Sequence, residues 1–81
     1  MRADVTILYF AALRDAAGVP AERIETSAAD LRALYDELQV RHALPLASRQ
    51  LRVAVDGEFA KWEDIPRDGT EIAFIPPVSG G

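Results

Sequence analysis

Leu31, Leu34, Tyr35 and Leu38 stand at i, i+3, i+4 and i+7, and that spacing decides most of what this chain can fold into. Residues so spaced share one face of a helix. The stretch from Ala28 to about His42 is therefore predicted to be an amphipathic helix, with Ser27 as its N-cap. Asp30, three residues on, completes a variant of the capping box and suits the positive end of the helix dipole. Asp30, Arg32, Asp36, Glu37 and Arg41 fall mostly on other faces. One apolar stripe needs one apolar partner. The chain has 81 residues, too few to enclose a second core, and no cysteine, which removes disulfides, thiolate metal sites and thiol nucleophiles. The helix must lie on a sheet built from the rest of the same chain.

The remaining sequence supplies that sheet. Asp4 to Phe10 reads as a strand with Val5, Ile7 and Tyr9 on one face and Thr6, Leu8 and Phe10 on the other. Ala11 to Ala17 is alanine-rich and helix-favouring, and Gly18-Val19-Pro20 stops it after about two turns. Glu22 to Thr26 is a short second strand anchored by Ile24. After the Ala43-Leu44-Pro45 break, Leu51 to Asp56 alternates with period two, and Asp56-Gly57 is a hairpin turn signal. Glu58-Phe59-Ala60 makes a short edge strand. The turn at Arg67-Asp68-Gly69-Thr70 leads into a last strand, Glu71 to Ile75. The expected fold class is α+β, a small mixed sheet with one main helix packed across one face. This element order resembles the β-grasp, the ubiquitin-like architecture.

A helix on one face should leave the other face polar. The strands nearest the end of the chain break that rule: Leu8 and Phe10 oppose Ile7 and Tyr9, and Ala73 and Ile75 oppose Ile72 and Phe74. Either the short helix at Ala11–Ala17 or a docked partner covers the second face. For Phe10, Phe59 and Ile75, core packing and partner contact both fit.

The last strand runs into Pro76-Pro77-Val78-Ser79-Gly80-Gly81. Proline has no N–H for a ladder, so Pro76 and Pro77 end the strand and stiffen an extended stem. Gly80 and Gly81 remove every side chain from the tip, so the backbone fits a channel too narrow for a Cβ. Val78 to Gly81 would reach about 13–14 Å, enough to place a terminal carboxyl in another protein's active site. A Gly-Gly ending alone arises by chance in roughly 0.5% of chains. Its weight comes from the strand and the Pro-Pro stop before it. The organisation expected is a domain over 1–75 and an extended tail over 76–81.

Composition narrows the partners. Hydrophobic residues make up 49% and charged residues 27%, ordinary for a globular domain, and the net charge is −4. That balance argues against nucleic acid as a partner, which would call for clustered Lys and Arg. The longest apolar run, Ile7 to Leu13, is far short of the roughly 20 residues of a membrane span. No secretory signal is evident, and the expected location is cytoplasmic. The lone histidine, His42, ends a helix with no catalytic constellation around it, and Trp62 reads as a local packing residue.

Three blocks carry a resemblance to a known family. They are Leu8-Tyr9-Phe10-Ala11 through Arg14-Asp15 to Gly18, then Val53 to Phe59, then Asp68 to Gly81. The chain resembles the small, sulfur-carrying subunits of molybdopterin synthase, the MoaD-like sulfur carriers. The resemblance implies that an activating enzyme of the ubiquitin-activating type uses ATP to adenylate the Gly81 carboxylate, and that sulfur then replaces AMP. The Gly81 thiocarboxylate would enter the large synthase subunit and give its sulfur to cyclic pyranopterin monophosphate. It implies a heterotetramer with the small subunits at the ends, no cofactor on this chain, and no catalysis by this chain alone. It also implies partner contacts at Phe10, Arg14, Phe59 and Ile75 and an inserted stem from Pro76 to Ser79. Asp56 stands where Asn is common, and both suit a turn. A carrier for thiamine or another thiolation pathway, a ubiquitin-like modifier, and a plain interaction domain are the competing readings.

Overall fold

The computed structural model describes residues 2–77. Among them the order is β1 (Ala3–Tyr9), α1 (Ala12–Ala17), β2 (Ala21–Thr26), α2 (Leu31–His42), a 3₁₀ turn at Ser48–Gln50, β3 (Arg52–Val55), β4 (Glu58–Ala60) and β5 (Glu71–Ile75). The strands form one mixed sheet in the order β2-β1-β5-β3-β4. β1 and β5 are parallel in register Ile7↔Ile72 and Tyr9↔Phe74; the other neighbours are antiparallel.

α2 lies across one face, as its stripe requires. Leu31, Leu34, Tyr35 and Leu38 are fully buried and pack against Val5, Ile7 and Tyr9 of β1, Val53 of β3, and Ile72 and Phe74 of β5. Tyr35 meets Phe74 edge-on at 4.9 Å between ring centroids, and Trp62 stacks on Phe74 at 5.9 Å with its plane tilted by 4°. Trp62 is thus a packing residue that closes the core beside β5.

The helix start differs from the expected one. α2 begins at Leu31, not Ala28, and its N-cap is Asp30, whose Oδ1 accepts from the Ala33 N–H at 2.8 Å. Ser27 is exposed and caps nothing among the described contacts. Two features hold the start back. The Thr26 hydroxyl accepts the Ala28 N–H at 3.0 Å, fixing a local turn that competes with helix. The Leu31 and Arg32 N–H groups donate to the carbonyls of Asp64 (2.9 Å) and Trp62 (3.1 Å), so the first-turn donors find partners from a distant loop.

The turns place the strands. Asp56 and Gly57, with φ of 50° and 86°, make the two-residue hairpin turn joining β3 to β4. Asp56 does more than tolerate the turn, because its Oδ1 accepts the Glu71 N–H at 2.8 Å and so extends the β3–β5 edge. At the opposite side of β5, Asp68 Oδ1 accepts the Asp4 N–H and the Gly69 N–H donates to the Asp4 carbonyl, each at 2.7 Å. That clasp sets β5 beside β1.

Asp30→Ala is expected to cost about 1 kcal/mol of unfolding free energy and Ser27→Ala less than about 0.5 kcal/mol, as read by urea denaturation. Equal losses from the two would restore the earlier helix start.

Candidate docking face and the root of the tail

β5 is the middle strand, and its side chains divide cleanly. Ile72 and Phe74 are buried under α2, while Ala73 and Ile75 face the other way and are half-buried. Register carries that second face across the sheet. Leu8 of β1 pairs with Ala73, Ala73 with Ala54 of β3, and Ala54 with Phe59 of β4. One row further toward the end of β5, Ile75 pairs with Arg52. Phe59 is 64% exposed, and Phe10, one residue past the last β1–β5 pair, is 45% exposed.

The sheet therefore gathers Phe10, Ile75 and Phe59, three residues singled out from the sequence, on its open face. α1 does not cover them. Its one buried residue, Leu13, joins the α2-side core instead. Among the described residues the second face stays open. Arg14 is exposed on α1, one turn beyond Phe10, whose carbonyl accepts the Leu13 N–H at 3.0 Å and the Arg14 N–H at 3.5 Å. Pro76 is half-buried and Pro77 exposed where the chain leaves β5. Val78, Ser79, Gly80 and Gly81 lie outside the described residues.

One feature of this face is absent from the sequence reading. The Arg52 guanidinium lies 4.2 Å above the Phe59 ring centroid, a cation–π contact across the β3–β4 hairpin. Alternation along Leu51–Asp56 marks Arg52 as outward-facing, but its ring partner depends on the hairpin register.

Beneath the face, a polar cluster anchors the end of β1. The Tyr9 hydroxyl donates to Glu22 Oε2 at 2.8 Å, and His42 Nε2 lies 2.6 Å from the same oxygen. His42 also meets the Tyr9 ring edge-on at 5.7 Å. β1, β2 and the last turn of α2 are joined there, so His42 has a structural partner. Burial pushes the Tyr9 phenol far above its ordinary range, and the adjacent Glu22, through its hydrogen bond and its charge, pushes it further. Burial, with the nearby Asp36 charge, pushes Tyr35 up to about 12. The Tyr35 hydroxyl donates to the Leu46 carbonyl at 2.6 Å.

A family model described as ThiS family matches residues 7–81. The chain belongs to the ThiS family. It is 35% identical over 80 residues to the molybdopterin synthase sulfur carrier subunit of Haemophilus influenzae, covering 95% of this chain and 99% of that relative. Among solved structures it is similar to SAMP1, the small archaeal modifier protein of Haloferax volcanii. That likeness has a TM-score of 0.76 and 27% identity, over 96% of this chain and 99% of the other. It also matches a protein–protein complex of subunits 1 and 2 of molybdopterin-converting factor from Helicobacter pylori. There the TM-score is 0.63 and the identity 24%, over 100% of both chains, a likeness of fold. The fold is the ubiquitin-like β-grasp, and the likeness to the MoaD-like carriers holds over nearly the whole chain.

Both tyrosines are buried, and these are the two the chain has. Their folded pKa values lie above the ordinary 10.0, so the unfolded chain ionises first as pH rises. The stabilisation they give is complete below about pH 10 and is lost progressively above it, through about pH 12 for Tyr35. In an alkaline titration the phenolate absorbance should appear together with loss of the folded circular dichroism signal. Phenolate forming near pH 10 in a still-folded protein would contradict this.

Proposed function

We propose that this chain is the sulfur carrier subunit of a molybdopterin synthase, and that the open sheet face docks it on the large subunit. The observation that carries this reading is the near full-length likeness to a curated molybdopterin synthase sulfur carrier subunit, with a family match running through Gly81. Residues 1–75 serve as the docking domain and residues 76–81 as the arm.

The chemistry assigned to Gly81 follows from its functional group. A carboxylate is a poor electrophile, so an adenylating enzyme first joins it to the α-phosphate of ATP, releasing pyrophosphate. A sulfur nucleophile then attacks the acyl carbon, the bond to AMP breaks, and a thiocarboxylate results. A glycine acyl group offers the least steric obstruction to that attack. The thiocarboxylate is anionic and nucleophilic near neutral pH, so it can give its sulfur to cyclic pyranopterin monophosphate without a cysteine in this chain. Two such transfers build one dithiolene. Catalytic acids and bases belong to the partner, and ATP to the adenylating enzyme.

The domain's own contribution is placement. Pro76 and Pro77 extend the line of β5 as a stiff stem, and Val78 and Ser79 carry the glycines into the partner's channel. Phe10, Phe59 and Ile75 give the docking face its apolar contacts, and Arg14 lies at its margin. The assembly is a heterotetramer with one carrier at each end of a large-subunit dimer, and its setting is cytoplasmic. Among the described residues no helix is long and apolar enough to cross a membrane.

A second reading, a modifier joined to other proteins through Gly81, draws support from the likeness to the small archaeal modifier protein. Intact mass after incubation with ATP, a sulfur donor and the organism's own activating enzyme separates the two. The carrier reading expects a gain equal to exchanging one oxygen for one sulfur, absent when Gly81 is deleted. Conjugates to other proteins with no accumulated thiocarboxylate would favour the modifier.

Phe10→Glu and Ile75→Glu are expected to weaken large-subunit binding by about thirtyfold or more while the isolated domain still melts cooperatively. Unfolding of both variants would make those residues core and remove the docking face.

A further inference from the structure

Arg52 is the one cation that β3, β4 and β5 contain, and alternation puts it on the open face. It stands in register with Ile75, the last strand residue before Pro76, and its guanidinium covers the Phe59 ring. Among the described residues the carboxylates in contact with a basic side chain are Glu25 with Arg2, Glu63 with Arg32 and Glu22 with the His42 ring, so no described carboxylate engages Arg52. Nor does its side chain donate any of the described hydrogen bonds.

Any surface that packs on Ile75 and Phe59 takes Arg52 out of water. The ring beneath it offers the cation a π face but no conventional acceptor for the five N–H donors of the guanidinium. An arginine desolvated without acceptors opposes binding strongly. A neutral residue would sit on a plain apolar partner at lower cost, and a guanidinium is less strongly hydrated than an ammonium, so an arginine here suits an interface that supplies acceptors. Seated over the Phe59 ring, the guanidinium leaves its N–H donors to be met by a partner, and a carboxylate can accept two of them in parallel hydrogen bonds. The chain carries a net charge of −4, so an acidic group on a partner is favoured where a cation such as Arg52 faces it and disfavoured beside the more numerous carboxylates.

We infer that the protein docking on this face presents an aspartate or glutamate carboxylate to Arg52, held ready by Phe59, and that this pair sets the docking register beside the tail. The inference rests on the docking role assigned above and names the chemistry of the partner surface.

The test uses the full chain and the large synthase subunit of the same organism, with the dissociation constant measured at low and at physiological ionic strength. Arg52→Leu should weaken binding by roughly thirtyfold, Arg52→Glu by more, and Arg52→Lys by an intermediate factor because it keeps charge but loses the fork. Wild-type affinity should fall as salt rises, and that of Arg52→Leu should change less. Since Arg52 is exposed, all three variants should melt like the wild type, and Arg52→Lys, the mildest change, serves if Arg52→Leu does not. Tight binding by Arg52→Leu with an unchanged salt response would overturn the inference and leave the docking role intact. Failure of the wild type to bind would overturn both.

Discussion

The packing of Phe74 is the contact on which the rest of the structure depends. Its ring takes Tyr35 of α2 edge-on and Trp62 of the β4–β5 connection face-on, so sheet, helix and loop are fixed at one point. Aromatic pairs of this geometry add roughly 0.5–1.5 kcal/mol each beyond area burial. Because Phe74 lies on β5, the same contact fixes which way Ala73 and Ile75 must face. The core and the open face are two sides of one strand, and neither can shift register without moving the other.

Local chemistry made much of this legible. The stripe at Leu31, Leu34, Tyr35 and Leu38 depends only on the helical period, and all four are buried as expected. Period-two alternation placed Leu8, Ala73 and Ile75 opposite the core, and Asp56-Gly57 gave the hairpin turn from residue type alone. The start of α2 was not legible, because the carbonyls that receive its first N–H groups come from Trp62 and Asp64, about thirty residues away in the chain. Ala11 and Ala43 adopt positive φ, 51° and 53°, where glycine would be the usual choice, and nothing in an alanine announces that. The Arg52–Phe59 contact needs the β3–β4 pairing before it can be seen.

For the site, residue choice was more legible than geometry. Phe10, Phe59 and Ile75 were drawn out as apolar residues that a one-sided sheet should not expose, and the fold does place them away from α2. What decides between core and docking surface is the direction of α1. Leu13 turns into the main core, so the short helix is occupied elsewhere and the second face is left to solvent or a partner. Tyr9, Glu22 and His42 make the supporting structure beneath, a set that residue spacing alone does not bring together.

The position of β5 in the sheet also has a mechanical consequence. It is registered over four pairs with β1 and four with β3, parallel to one and antiparallel to the other. A pull along the chain beyond Ile75 therefore loads both ladders lengthwise, so many hydrogen bonds must give way together rather than one after another. An edge strand would peel. Under a load applied beyond Ile75 the domain would therefore act as a rigid handle.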